Sequence, residues 1–435
     1  MSAHRAKFAF AAAAVAALLP FAAGFAQQAA APAVEKVPSA PLPPPADMPA
    51  LTPDQVLARQ ARGGGRGGPP PNYNVSRRSD FDKALPNPYA ANEVWYTMPK
   101  GRFLGGISGI QVDNDGRSIW VAERCGGTGN CIGSHVDPVI HFSADGKVLK
   151  MFGKDMINYP HGLWIDRDNN VWVTDLQSNL PQPGGRSGRG GAPQPAPATP
   201  LGAQVLKFSP QGKLLLRLGT PGIYGNDESH FSQPSDVVTD NDGNIYVADG
   251  HDSPPANNRI VKFDKTGRFL KAWPTCHPSN QRQIDCSHSI EIDSQGRIFV
   301  ANRGNNVIDI YDQDGKRLAV WPHFGKPTGL YIDKRTDALY VADSQSSLAS
   351  GFVKGTHVGS ARTGIVTAFI PDRLNIASPW SGPGTLSPEG VTTDRQGRIY
   401  TAGVRPQGLT RWTLATNTRP FPDPNGAGRG GGGGE

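Results

Sequence analysis

Three side chains that can bind a divalent metal, His161, His288 and Glu389, each stand five residues ahead of an aspartate in a recurring segment (Asp166, Asp293 and Asp394). Two imidazoles and one carboxylate, with a fourth position left open, make a usual catalytic zinc arrangement. The same ligands suit iron or manganese. The shared offset implies one structural position occupied three times, so the three groups can converge if the segments are arranged around an axis. A second set follows the end of the same segments. Arg124 and Arg303 carry forked guanidinium groups that can hold a substrate carboxylate or oxyanion through paired hydrogen bonds. His251, in the same register, is a candidate to move a proton. The acids of this second set, Glu123, Asp175, Asp249 and Asp343, are expected to hydrogen-bond between units rather than to react.

The segments that must position these groups occur six times. They are SGIQVDNDGRSIWVAER from Ser108, HGLWIDRDNNVWVTDL from His161, SDVVTDNDGNIYVADG from Ser235, HSIEIDSQGRIFVANR from His288, TGLYIDKRTDALYVADS from Thr328 and EGVTTDRQGRIYTAGV from Glu389. Each is an alternating strand, an Asp-containing turn and a strand rich in β-branched and aromatic residues, which is the grammar of a hairpin. A third strand follows most copies (VIHF at Val139, VLKF at Val205, IVKF at Ile260, IDIY at Ile308), and a Gly-containing turn leads to a fourth. Four short strands repeated six times predict an all-β chain folded as a six-bladed β-propeller over residues 73–416. The repeated aspartates are 40 residues apart at the shortest (Asp293 to Asp333) and 74 at the longest (Asp166 to Asp240), where a Pro/Gly/Arg-rich loop is inserted at 181–200. The segment EVWYTM, from Glu93, is expected to supply the strand that completes the last blade and closes the ring. The innermost strand of a propeller blade lines the central channel. The position five before the repeated aspartate therefore lies on one rim, occupied in turn by Ser108, His161, Ser235, His288, Thr328 and Glu389. The metal-binding types fall on alternate blades.

Met1 to Ala26 has Arg5 and Lys7 ahead of the apolar run Phe8–Leu19 and ends in small residues, the pattern of a secretory signal peptide. The run is too short to span a bilayer comfortably, and no later stretch is long and apolar enough for a transmembrane helix. The mature chain is expected in the periplasm or outside the cell, as a monomer. Residues 27–72 and 417–435, rich in Gly, Pro and Ala, are expected to be disordered. The net charge is +7, but Arg62, Arg66, Arg186 and Arg189 sit in such low-complexity stretches. No basic face is interleaved with aromatics, which argues against nucleic acid as a partner. The four cysteines fall into two local pairs, Cys125 with Cys131 and Cys276 with Cys286, expected to close loops as disulfides in an oxidising compartment. Spacing alone leaves the other pairings open.

The stretches YPHGLWIDRDNNVWVTD, FSQPSDVVTDNDGNIYVADG with NNRIVKFDKTGRFL, and SHSIEIDSQGRIFVANRGNN resemble the peptidyl-α-hydroxyglycine α-amidating lyases, a family of NHL-repeat propellers. The resemblance covers roughly residues 90–412 and is densest from Asn158 to Tyr311. It implies cleavage of a C-terminal α-hydroxyglycine to a peptide amide and glyoxylate, with a channel zinc held by three histidines and a structural calcium nearby. By the same resemblance His161 and His288 match two zinc ligands, Arg124 and Arg303 match arginines of the site, and Ile110 and Leu163 would offer carbonyls to calcium. Three positions depart. Glu389 stands where the third histidine is expected, Gly390 replaces the calcium-binding aspartate, and His251 replaces the active-site tyrosine, followed by an insertion at 252–256.

Two classes of function follow. The first is a metal-dependent lyase acting on a small hydroxylated anionic substrate or a peptide end, with zinc or another divalent metal on His161, His288 and Glu389. In it Arg124, Arg303 and His251 would be the catalytic side chains. The second is a non-catalytic ligand- or protein-binding propeller at the cell envelope. A sugar-lactone hydrolase of the calcium-propeller type ranks behind both, because its carboxylate-and-amide cage is replaced here by two histidines.

Overall fold

Each repeated aspartate closes the hairpin between the first two strands of its unit. Asp166 accepts the amides of Asp168 and Asn170 (3.0 and 2.9 Å) and the indole N–H of Trp172 (3.1 Å). Asp240 and Asp394 accept the matching amides and the hydroxyls of Tyr246 and Tyr400. The carboxylate thus ties its own turn to the aromatic residue of the next strand, which is why the Asp and the aromatic recur together. The structure is a computed structural model that describes residues 82–415, apart from 83–84, 93–94, 128, 181–198, 252–255, 279, 281–284, 347–351, 373–387 and 406. The expected signal peptide, linker and tail, and nearly all of the insertion at 181–200, lie outside the described residues. Every described residue belongs to the unit Val34–Glu435, distinct from Met1–Ala33.

The strands form six four-stranded antiparallel sheets. Blade one runs from innermost strand Ile107–Val112 to outermost Val148–Phe152, and blade two from Pro160–Ile165 to Leu214–Leu218. Blades three, four and five begin at Pro234–Thr239, Ile290–Ile292 and Gly329–Asp333. Blade six begins at Pro388–Thr393. Each innermost strand contacts those of both neighbours, and blade six contacts blade one, so the blades close into a six-bladed β-propeller. The core lies between neighbouring blade faces. Trp120, Val139 and Phe152 of blade one pack on Leu163, Val171 and Phe208 of blade two, and Tyr331 and Tyr340 of blade five pack on Val391 and Trp412 of blade six.

Ring closure differs from the expectation. Tyr89–Asn92, not EVWYTM, is the outermost strand of blade six, pairing antiparallel with Gly408–Leu414. Of EVWYTM, Glu93 and Val94 lie outside the described residues. Trp95 instead packs edge-on against Tyr400 and Phe142 (ring centroids 5.0 and 6.0 Å), filling the seam between the last blade and the first. Both expected disulfides are present, Cys125–Cys131 and Cys276–Cys286.

Candidate metal centre at the channel mouth

The rim residues are aimed by irregular backbone. The register between the first two strands slips beside Ser108, His161, Ser235 and Glu389. Such a bulge bends a strand locally and re-aims the side chain it carries. The residue after the rim position is glycine where innermost strands crowd the axis. A Cβ on Gly390 would come within 2.3 Å of the Ser108 carbonyl oxygen, and one on Gly162 within 2.4 Å of an Asp236 carboxylate oxygen. A side chain at Gly390 would require the Ser108 backbone to shift, and with glycine there the chain offers no carboxylate where the resemblance implies a calcium-binding aspartate. The six rim residues line one small axial cavity of ≈ 30 Å³, a volume on the scale of an ion or a water.

Three imidazoles and a carboxylate cluster beside it, with His161, His288 and Glu389 lining the cavity and His251 outside its lining. Ligand-grade atoms of His161, His251, His288 and Glu389 all lie within 4.8 Å of one another. The His161 and His288 rings are 5.0 Å apart, and the His251 ring is 4.8 Å from each. His288 Nε2 lies 3.5 Å from Glu389 Oε1. His161 Nδ1 donates to the Ser235 carbonyl and His288 Nδ1 to the Thr328 carbonyl, both at 2.7 Å. The rim backbone of the next blade thus fixes each ring and its tautomer. The two Nε2 atoms are left buried with no hydrogen-bond partner. A buried polar atom without a partner is costly, and a second nitrogen anchored to a carbonyl is the usual support of a metal-binding histidine. Burial holds both histidines well below their usual pKa, reinforced at His161 by His251, Arg124 and Arg303 and at His288 by Arg303, His251 and His161. Both are therefore neutral near pH 7, the state in which an imidazole can coordinate. The donor set fits zinc, and equally iron or manganese.

Arg124 and Arg303 flank the cluster. Arg124 lies over the Tyr159 ring at 4.2 Å and donates to Ser108 Oγ at 3.0 Å. Arg303 is buried, donates through Nε to both carboxylate oxygens of Asp285 (2.8 and 2.7 Å), and has Nη1 3.5 Å from Glu389 Oε1. Tyr159 and Asp285 stand outside the repeat register, so periodicity carries no signal for them. The only hint of Tyr159 is its place two residues before His161. The acids of the second set bond within their own blade and its entry segment, not between units as expected. Asp175 accepts the amides of Asn158, Tyr159 and Gly202, and Asp249 those of Ser232 and Gln233 together with the Arg259 side chain. They pin the chain where it enters each blade.

No family model matches the chain. Curated relatives do. NHL repeat-containing protein 3 of Mus musculus is 28% identical over 285 residues, 63% of this chain and 73% of that protein. Peptidyl-glycine alpha-amidating monooxygenase A of Xenopus laevis is 31% identical over 254 residues, 56% of this chain and 24% of the relative. A probable peptidyl-alpha-hydroxyglycine alpha-amidating lyase of Caenorhabditis elegans is 29% identical over 201 residues, 45% of this chain and 47% of the relative. The chain spans less than half the length of these two amidating proteins. In sequence, it is similar to NHL-repeat proteins and to peptidyl-α-hydroxyglycine α-amidating lyases.

Proposed function

We propose that the chain is an exported, metal-dependent lyase acting at the channel mouth on a small hydroxylated anion or on a peptide ending in one. The observation that carries this is the pair of buried Nε2 atoms of His161 and His288, neither of them hydrogen-bonded, converging with Glu389 on one axial point. These three residues would hold zinc or another divalent ion, which supplies Lewis-acid polarisation of a substrate oxygen. Catalysis needs a position left open to substrate. His161 and His288 are anchored through Nδ1, and Glu389 is held beside Arg303 and His288. His251, whose ring lies 4.8 Å from those of His161 and His288, would move the proton. Arg124, backed by Tyr159, would orient the substrate carboxylate, and Arg303 would add positive charge from the opposite side.

For an α-hydroxyglycine end the balance is simple. The hydroxyl loses its proton and its oxygen becomes the carbonyl of glyoxylate. The C–N bond breaks, and the departing peptide amide takes up a proton. Both disulfides suit an oxidising compartment, and no helix among the described residues is long and apolar enough to cross a membrane. The test is glyoxylate release from a peptide ending in α-hydroxyglycine. Release that stops on chelation and in His161→Ala is expected. Absence of release, with a melting temperature indifferent to both chelator and zinc, would favour the non-catalytic propeller instead.

A further inference from the structure

We infer that Asp285, fixed by the Cys276–Cys286 disulfide, is the positioning residue for the two groups that distinguish this site from a three-histidine one, Glu389 and His251. This rests on the metal centre proposed above. Asp285 reaches both groups. Its carboxylate takes Arg303 Nε through both oxygens, and Arg303 in turn has Nη1 3.5 Å from Glu389 Oε1. Its backbone N–H donates to the carbonyl of His251 at 3.0 Å, and its carbonyl accepts the amide of Gly304 at 2.6 Å, beside that same arginine.

The residue is held in place from several sides. It has φ 65°, a left-handed conformation that Asp adopts more readily than most non-glycine residues. Next to it, Cys286 closes the disulfide to Cys276 and donates its amide to Asn258 Oδ1 at 2.8 Å. Asp285 and Arg303 are both buried, so neither is a solvated surface pair. His161 and His288 take their orientation from backbone carbonyls of the next blade, whereas Glu389 shows no such anchor among the described residues and has Arg303 beside it. A carboxylate ligand on a flexible stem needs such a partner, and loss of an outer partner typically weakens a metal site about 10–100-fold.

The experiment is a double-mutant cycle on the full chain, read by competition for cobalt(II) against a chelator and by the cobalt absorption spectrum. Asp285→Asn is expected to weaken cobalt binding about 10–100-fold and to alter the spectrum. In a Glu389→His background, where no carboxylate ligand needs orienting, the same change is expected to leave affinity within about twofold. Equal weakening in both backgrounds, or none in the native one, overturns the inference and assigns Asp285 to folding alone. Failure of the unmodified chain to bind cobalt overturns the metal centre itself, a separate result. If Asp285→Asn does not fold, Arg303→Lys, which keeps the charge but loses the fork, takes its place in the cycle with the same two outcomes.

Discussion

At the scale of residues, the site divides between groups held by backbone and groups held by side chains. His161 and His288 borrow backbone carbonyls, Glu389 and Arg124 borrow side chains, and the consequences differ. Arg124→Lys keeps the charge but loses the fork and the stacking on Tyr159. It is expected to cost about 1.5–3 kcal/mol of anion binding, a KM raised roughly 10–100-fold with a smaller change in kcat, measured by steady-state kinetics on an anionic substrate. His251→Ala is expected to abolish turnover while metal stays bound, and Glu389→Ala to release the metal. Elemental analysis of the two variants separates these roles, and metal loss from His251→Ala would make it a ligand. The three rim groups were legible in sequence because each sits at a fixed offset from a turn aspartate. Asp285 and Tyr159 were not, because they belong to connections between blades whose lengths obey no period.

At the scale of elements, the innermost strands approach most closely just past the rim, where four of the six blades carry glycine (Gly109, Gly162, Gly329 and Gly390). Gly390→Ala must push the Ser108 backbone away. It is expected to lower stability by about 1–3 kcal/mol and to weaken metal binding with it, measured by thermal melting and chelator competition. Blade three lacks the axial glycine and has Asp236 there instead, buried, accepting from Ser289 Oγ (2.7 Å) and the Ile290 amide (3.1 Å). Burial pushes its pKa up to about 6. A carboxyl whose folded pKa lies above its unfolded value favours folding while protonated, and that contribution is lost as pH rises from about 4 to 6. Asp236→Asn is therefore expected to gain melting temperature relative to the unmodified protein across that range, with a constant difference above it. A gap that narrows with rising pH would contradict the assignment. The strand pattern itself was plain in the sequence, since the Asp turn and the β-branched run recur together. The closing strand was hidden, because YAAN is short and half-exposed while the nearby EVWYTM has the composition of a strand. Its Trp95 serves the seam between blades instead.

At the scale of the molecule, the ring is held shut by pairing an early strand with a late one, Tyr89–Asn92 with Gly408–Leu414. Truncation after Asn92 leaves blade six a strand short, with an open edge beside the Trp95 seam. Such a chain is expected to melt lower and to aggregate, whereas truncation before residue 73 should leave melting and metal content unchanged, as light scattering and calorimetry would read. Closure also matters for chemistry, because His161, His288 and Glu389 come from three separate blades, and only a closed ring brings them to one point. The direct test is the divalent-metal content of the purified full chain beside its His161→Ala variant. A single tightly held ion per chain, lost in the variant, is the expected result. A metal-free native chain, or a content unchanged by His161→Ala, would contradict the account.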